Sequence, residues 1–217
     1  MNLPRKGLSI AAMAHDHDHP DNALGPMDLR VRALETVLAG KGYIDPAALD
    51  VLIDTYQTRI GPRNGARVVA RAWVDAAFRA WLFADATAAI ASMGYAGRQG
   101  EHMVALENTP ARHHLVVCTL CSCYPRTVLG LPPDWYKSRN YRSRVVIEPR
   151  TVLKEFGTTV ADDVTVRVHD SNADMRYLVL PARPAGTEGW DEARLAALVT
   201  RDCMVGVALP KAEKVAA

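Results

Sequence analysis

Residues 116–124 read VVCTLCSCY, so a β-like apolar run leads directly into three of the chain's four cysteines. Cys118, Cys121 and Cys123 fall within six residues, and only Ser122 separates the last two. Clustered thiols usually indicate metal or redox chemistry when the protein is not a secreted disulfide framework. The stretch therefore predicts a strand followed by a reactive cysteine loop.

From about residue 100 onward, the sequence alternates between short β-like runs and helical stretches. Short β-like runs predict strands and the pieces between them predict helices. The predicted strands are HLVVC, VTVRVHD, RYLVLP and CMVGVAL, and the predicted helices are PDWYKS, YRSRVVIEP, RTVLKEFG and DEARLAALVT. This pattern predicts an α+β protein in which a layered α/β domain carries the cysteine loop.

The N-terminal half is helical by pattern. A first helix is predicted with Asp28 as its N-cap, and a second with Asp45 as N-cap and Pro46 in the first helical position. Residues 61–65 predict a loop, and residues 66–94 predict one or two further helices. The predicted domain organisation is a flexible arm over 1–24, a helical region over 25–98 and a metal-binding catalytic domain over 99–217.

Composition excludes several classes of function. The chain has 217 residues, 49% of them apolar, and a formal net charge of +2. Neither a basic block interleaved with aromatics nor an apolar run of roughly 18–20 residues is present, so we expect no nucleic-acid partner and no membrane span. Bunched cysteines also favour a cytoplasmic location.

The predicted N-terminal arm contains the histidine tract HDHDH. Its members are His15, His17 and His19, a composition typical of metal binding. Weak metal capture before insertion and a disordered polar tail are the two interpretations.

Zinc and iron–sulfur sites fit the cysteine spacing poorly. A structural zinc site takes four ligands, usually as two pairs, and no second pair is present. Cys203 lies 80 residues beyond Cys123 and is expected to be a buried small residue. His113 and His114 are expected to cap or flank the strand. An iron–sulfur cluster would also lack a clear fourth thiolate.

The single residue between Cys121 and Cys123 indicates a different geometry. A deprotonated amide of Cys123 with its own sulfur closes a five-membered chelate ring, and the amide of Ser122 with the Cys121 sulfur closes a six-membered one. Three sulfurs and two amide nitrogens then leave one coordination position open. Such a strong ligand field suits a low-spin trivalent metal rather than zinc.

The motif VCTLCSC, continuing into YPRTVLGLPPDWYKS and YRSRVVIEPRTVLKEFG, closely resembles the α subunit of nitrile hydratase. It is also similar to the γ subunit of thiocyanate hydrolase. The resemblance implies that Cys118, Cys121 and Cys123 supply the sulfur ligands, with amide nitrogens from Ser122 and Cys123. It further implies that Cys121 is oxidised to sulfinate and Cys123 to sulfenate.

The resemblance also carries information about the metal. Cobalt members of the family read CTLC and iron members CSLC, so Thr119 indicates cobalt, and Tyr124 also matches the cobalt type. We therefore expect one Co(III) per chain, with Fe(III) as the alternative. The metal would act as a Lewis acid on a nitrile, and the sulfenate of Cys123 would attack the nitrile carbon or activate the attacking water.

Further polar residues match outer-shell positions of the family. They are Gln99, Glu101, Asp170, Asp174 and Arg176. Relatives often carry Glu where Asp174 stands, which weakens that match. Ordinary surface or ion-pair residues are the alternative interpretation, and exposed pairs contribute little energy.

Partners and substrate are implied by the same resemblance. It predicts a β subunit, an αβ heterodimer assembling to α2β2, a cobalt-insertion activator protein and a small nitrile substrate. Arg126 departs from the nitrile hydratase pattern CYPW and matches the thiocyanate hydrolase pattern CYPR. Thiocyanate hydrolysis to carbonyl sulfide and ammonia is therefore the alternative activity, and a non-catalytic zinc module is a third possibility.

Overall fold

The computed structural model describes residues 26–54, 61–95, 102–121 and 123–212. The described helices before the first strand are α1 Pro26–Gly40, α2 Pro46–Asp54, α3 Pro62–Val74, α4 Ala76–Ala84 and α5 Ala86–Ser92. The remaining elements are β1 His102–Glu107, β2 Arg112–Val117, α6 Arg126–Leu129, α7 Asp134–Lys137, α8 Arg139–Arg144, α9 Pro149–Glu155, β3 Thr165–Asp170, β4 Met175–Leu180, α10 Glu192–Ala196 and α11 Arg201–Val205. This mixture of helices and strands confirms the predicted α+β class.

Two parallel strand pairs form the β structure of the described residues. Strand β1 pairs with β4, and β2 pairs with β3. In the second pair Val117 is in register with Asp170, so both strands end at the same edge. Side chains that follow β2 and side chains at the end of β3 are therefore brought together there.

The helix starts at residues 26–65 differ in part from the prediction. Helix α1 begins at Pro26, so Asp28 lies inside the helix and is not its N-cap. The Asp45 cap is confirmed, because Asp45 Oδ1 accepts a hydrogen bond of 2.9 Å from Ala47 N and α2 starts at Pro46. The predicted loop over 61–65 is wrong, because α3 already starts at Pro62, where proline presets the helical φ.

The segment 66–94 contributes to three helices rather than one or two. Asp75 accepts a hydrogen bond from Phe78 N and Asp85 accepts one from Ala88 N. Each aspartate side chain satisfies a free backbone donor and starts a new helix. The apolar periodicity continues across these breaks, which is why the pattern alone merged the helices.

After residue 100 the prediction assigned one element wrongly and missed two, strand β1 and the short helix α6. The run CMVGVAL lies in and after helix α11 rather than in a strand, because the Thr200 side chain caps the helix by accepting from Cys203 N. Gly206 ends this helix in the left-handed conformation with φ +93°. Cys203 is buried, as expected.

One hydrophobic core joins α3–α5 to β2, β4 and α11. Beside it, four aromatic side chains pack edge to face or tilted, with ring centroids 4.8–6.2 Å apart: Trp135, Tyr136, Tyr141 and Phe156. Tyr141 Oη donates a 2.7 Å hydrogen bond to Val116 O, which ties α8 to β2.

The predicted domain boundaries remain a prediction. Among the described residues no helix is long and apolar enough to span a bilayer.

Candidate metal centre

The cysteine loop leaves the carboxyl end of β2 and brings three sulfur atoms together. Cys118 Sγ lies 3.5 Å from Cys121 Sγ, which lies 3.2 Å from Cys123 Sγ. The three sulfurs all lie within 4.8 Å of one another, and they form a cluster that could hold a metal ion. Cys118 is buried, Cys123 half-buried and Cys121 exposed. The predicted sulfur ligands are therefore adjacent and open to one side.

The sulfur spacing is compatible with coordination of one ion. Two thiolates bound about 2.3 Å from an ion are about 3.3 Å apart when they are cis at a right angle, and about 3.8 Å apart when tetrahedral. The 3.2 Å distance between the Cys121 and Cys123 sulfurs matches the cis value, and the 3.5 Å distance between the Cys118 and Cys121 sulfurs lies between the two values. The three thiols therefore suit a shared ion, and the shorter spacing favours a cis pair at Cys121 and Cys123.

The protein environment alone does not ionise the last thiol of the loop. Burial, followed by hydrogen bonding with Cys121 and Cys118, raises the pKa of Cys123 to about 12. A cation of high charge would reverse this, because a coordinating thiol loses its proton. Metal binding at this loop therefore releases protons.

Asp170, a predicted outer residue, fastens the cysteine loop to the end of β3. Its Oδ1 accepts a 2.9 Å hydrogen bond from Thr119 N, and its Oδ2 accepts a 2.5 Å hydrogen bond from Thr119 Oγ1. Because β2 and β3 end side by side, this bridge is short. Thr119, whose identity indicates cobalt, is therefore also the residue that Asp170 binds.

Two residues that the sequence did not single out hold the carbonyl groups of the loop. Tyr136 Oη donates a 3.0 Å hydrogen bond to Cys123 O. Arg142 Nη1 donates to Thr119 O at 3.4 Å and to Cys121 O at 3.3 Å. No local pattern could have identified them, because they reach the loop only through the packing of α7 and α8.

The other predicted outer-shell residues differ in how they relate to the cysteines. Arg176 is buried on β4, donates to Met175 O at 3.3 Å, and carries a charge that opposes the burial-driven rise in the pKa of Cys123. Asp174 is exposed between β3 and β4. Its backbone nitrogen donates to Asn172 Oδ1, and its backbone oxygen accepts from His102 N at 2.9 Å. Nothing described brings the Asp174 carboxylate to the cysteines. Gln99, Glu101, Ser122, His15, His17 and His19 lie outside the described residues.

Arg126 starts α6 and is exposed. Within the described residues, no hydrogen bond or ion pair engages its guanidinium group. Tyr124, two residues earlier, is buried. The chain therefore presents a free positive charge close in sequence to the cysteine loop.

His113 and His114 lie within β2 and are buried, so the expectation that they flank the strand was wrong. His113 Nε2 donates a 2.7 Å hydrogen bond to Gly206 O, which leaves its Nδ1 to accept from Asn108 Nδ2 at 3.4 Å. His114 Nδ1 lies 2.7 Å from His169 Nε2. These contacts use the imidazoles for packing between strands and α11, and none of them joins the sulfur cluster.

Comparison with known proteins supports one family. The family model for "Nitrile hydratase, alpha chain" matches residues 25–208. The α subunit of the high-molecular-weight cobalt-containing nitrile hydratase of Rhodococcus rhodochrous is 56% identical over 181 residues, which is 83% of this chain and 89% of the relative. The α subunit of a cobalt-containing nitrile hydratase from Pseudonocardia thermophila is 52% identical over 184 residues, which is 84% of this chain and 90% of the relative. The γ subunit of thiocyanate hydrolase from Thiobacillus thioparus is 45% identical over 167 residues, which is 72% of this chain and 69% of the relative.

Solved structures extend the comparison to the fold. A double mutant of the Fe-type nitrile hydratase from Comamonas testosteroni Ni1 superimposes with a TM-score of 0.78 at 43% identity, covering 89% of this chain and 93% of that chain. A recombinant thiocyanate hydrolase with partially modified cobalt centres gives a TM-score of 0.73 at 40% identity, covering 87% of this chain and 92% of that chain. The match spans both the helical half and the strands that carry the cysteine loop. The chain belongs to the nitrile hydratase α-chain family.

Proposed function

We propose that this chain is the α subunit of a nitrile hydratase, and that it hydrates nitriles to amides at a single low-spin Co(III) held by Cys118, Cys121 and Cys123. The observation that carries the proposal is the sulfur cluster, in which three thiols lie within 4.8 Å of one another at the end of two parallel strands. Cobalt is favoured because Thr119 has the cobalt-type identity and because similar relatives are cobalt-containing.

The remaining ligands come from the backbone. The amide nitrogens of Ser122 and Cys123 complete a set of five donors and leave one position for substrate. A bound Co(III) would supply Lewis-acid polarisation of the nitrile at that position. Three cysteines separated by so few residues reach one ion only if the chain between them follows the ion closely, which makes the intervening amides available.

The exposure of the three thiols supports the proposed oxidation pattern. Buried Cys118 would be protected and remain a thiolate, whereas oxidation by dioxygen would convert exposed Cys121 to sulfinate and half-buried Cys123 to sulfenate. Susceptibility to oxidation follows thiolate character and exposure. The sulfenate oxygen of Cys123 then attacks the nitrile carbon or activates the water that does so, and Cys121 completes the oxidised pair.

Four polar residues around the loop have proposed roles, two supported by their contacts or charge and two by the family resemblance. Asp170 positions the loop through Thr119, and buried Arg176 balances negative charge at Cys123. Gln99 and Asp174 are proposed outer residues of the site on the strength of the resemblance. The hydration releases a neutral amide, so no group is needed to hold an anionic product.

A β subunit is the proposed partner, in an αβ heterodimer that assembles to α2β2 in the cytoplasm. Leu120, within the cysteine loop, is 86% exposed. A large apolar side chain exposed on the reactive loop itself supports a face that another protein covers. We expect the isolated chain to have little activity and a cobalt-insertion activator to load it.

Thiocyanate hydrolysis is the second candidate function, and Arg126 favours it. An exposed guanidinium group close in sequence to the metal loop attracts an anionic substrate. The purified complex should be assayed in parallel with acrylonitrile and thiocyanate. The proposal predicts acrylamide from acrylonitrile. Carbonyl sulfide and ammonia from thiocyanate, without amide formation from the nitrile, would replace it with the second function.

A further inference from the structure

Arg142 places a positive charge on the backbone of the cysteine loop. Its Nη1 is shared between Thr119 O at 3.4 Å and Cys121 O at 3.3 Å, while its Nε donates to Ser138 O at 3.4 Å. Among the described residues, no carboxylate forms an ion pair with Arg142. Its charge is therefore directed to carbonyl oxygens rather than neutralised by an acid.

The helix that carries Arg142 is tied to the strand that leads into the loop. The Ser138 side chain caps α8 by accepting a 3.1 Å hydrogen bond from Tyr141 N. The buried Tyr141 in turn donates to Val116 O at 2.7 Å, two residues before Cys118. These bonds place the backbone of α8 beside the start of the loop, within reach of the Arg142 side chain.

Of the two loop oxygens that Arg142 contacts, Cys121 O is the one that shares a peptide group with a proposed metal ligand. Cys121 O belongs to the same peptide group as the nitrogen of Ser122. When a peptide nitrogen ligates a metal, its N–H bond breaks, the electron pair forms the bond to the metal and the proton passes to water. Resonance within the peptide group then shares the negative charge with the carbonyl oxygen. A cation at that oxygen stabilises the metal-bound loop more than the metal-free loop.

We propose that Arg142 is a positioning residue of the metal loop, which fixes the Cys121–Ser122 peptide group through its carbonyl oxygen and balances the charge that this group acquires on metal binding. The inference rests on the proposed function for the identity of the metal and for ligation by the Ser122 amide, whereas the positioning role rests on the contacts of Arg142 alone. Outer residues that orient ligands typically affect metal affinity by about 10- to 100-fold.

The experiment compares Arg142→Gln and Arg142→Lys with the wild-type chain, and it uses Arg139→Gln as a control. Arg139 is exposed on the same helix, and its side chain has no described contact with the loop. Each full chain is expressed with its β subunit in media of graded cobalt concentration, and cobalt per chain is measured. Separately, amide hydrogen exchange is followed in the peptide over residues 116–124 of the metal-free chain.

Two results are expected. Arg142→Gln should exchange faster in the 116–124 peptide and should need about 10-fold more cobalt for half-loading. Arg142→Lys, which keeps the charge, should lie closer to the wild type in cobalt loading, and Arg139→Gln should match the wild type in both measurements. Equal thermal unfolding of the variants shows that the fold is intact.

Any of three results would overturn part of the inference. Unchanged hydrogen exchange in Arg142→Gln would remove the positioning role, whatever metal the chain holds. Faster exchange with unchanged half-loading, or equal loading of the lysine and glutamine variants, would remove the charge role. If the wild-type complex takes up zinc instead of cobalt, the proposed function fails, while hydrogen exchange still decides the positioning role.

Discussion

Both oxygens of the Asp170 carboxylate are engaged by one residue, Thr119. The backbone N–H and the hydroxyl group of Thr119 donate to Oδ1 and Oδ2 at 2.9 and 2.5 Å. The bond to the hydroxyl is charge-assisted, a class that is about twice as strong as a neutral hydrogen bond. The end of β3 therefore holds the first turn of the cysteine loop.

Replacing Thr119 by valine tests this bridge. Thr119→Val keeps the shape but removes a donor from Asp170 Oδ2, which is exposed and can be hydrated by water, so the free energy of unfolding should fall by about 0.5–1.5 kcal/mol. Cobalt content should fall as well, because the loop loses an anchor. Urea unfolding and metal analysis measure the two effects.

Thr119→Ser is the matched control, because it retains the hydroxyl. It should keep both the stability and the cobalt content of the wild type when cobalt is supplied. A loss in the serine variant with none in the valine variant would show that the methyl group, and not the hydrogen bond to Asp170, matters at this position.

Gly206 is predicted to tolerate no side chain. Its φ is +93°, and an added Cβ would lie 2.0 Å from His114 O. The left-handed conformation and the forced shift of β2 or α11 together should lower the free energy of unfolding of Gly206→Ala by at least about 3 kcal/mol.

Gly186→Ala provides the comparison, since Gly186 has φ +77° but open space around an added Cβ. Only the conformational cost of about 1–2 kcal/mol applies there. Thermal unfolding of both variants measures the difference. Similar shifts in the two midpoints would contradict a tight contact between α11 and β2.

The histidines of β2 and β3 predict a loss of stability in mild acid. Burial, followed by the charges of His169 and Arg112, lowers the pKa of His114 from 6.5 to about 4. The pKa values of His113 and His169 are lowered too. Between pH 6.5 and 4 the unfolded chain therefore binds protons that the folded chain does not, so stability falls as the pH falls.

The His114 contribution to this loss is about 3 kcal/mol when the pH has reached the lower pKa. Urea unfolding of the metal-free chain at several pH values should show a shallower pH dependence for His114→Gln than for the wild type. Parallel curves for the two proteins would show that His114 does not titrate in this way.

The sequence predicted the parts of the molecule that local chemistry decides. Apolar runs located β2, β3 and β4, the Asp45–Pro46 pair located the start of α2, and cysteine spacing located the metal loop. One failure has a clear origin. A short apolar run is compatible with either a strand or a helix, and near Cys203 the cap formed by Thr200 starts a helix.

The contacts around the site depend on the tertiary fold. Tyr136 and Arg142 reach the loop from short helices that follow it in the sequence. Asp170 was found by resemblance, but its partner Thr119 became evident only because β2 and β3 end in register. Spacing within six residues can identify ligands, whereas groups that orient those ligands come from distant positions in the chain.

The oxidation state of the cysteine peptide, measured together with its metal, decides whether this loop is a nitrile hydratase centre. The complex should be purified from cobalt-supplemented cells, its metals quantified, and the peptide containing Cys118, Cys121 and Cys123 analysed by mass spectrometry. We predict one cobalt per chain, two added oxygens on Cys121, one on Cys123 and none on Cys118. Stoichiometric zinc with three unmodified cysteines would contradict the proposed centre.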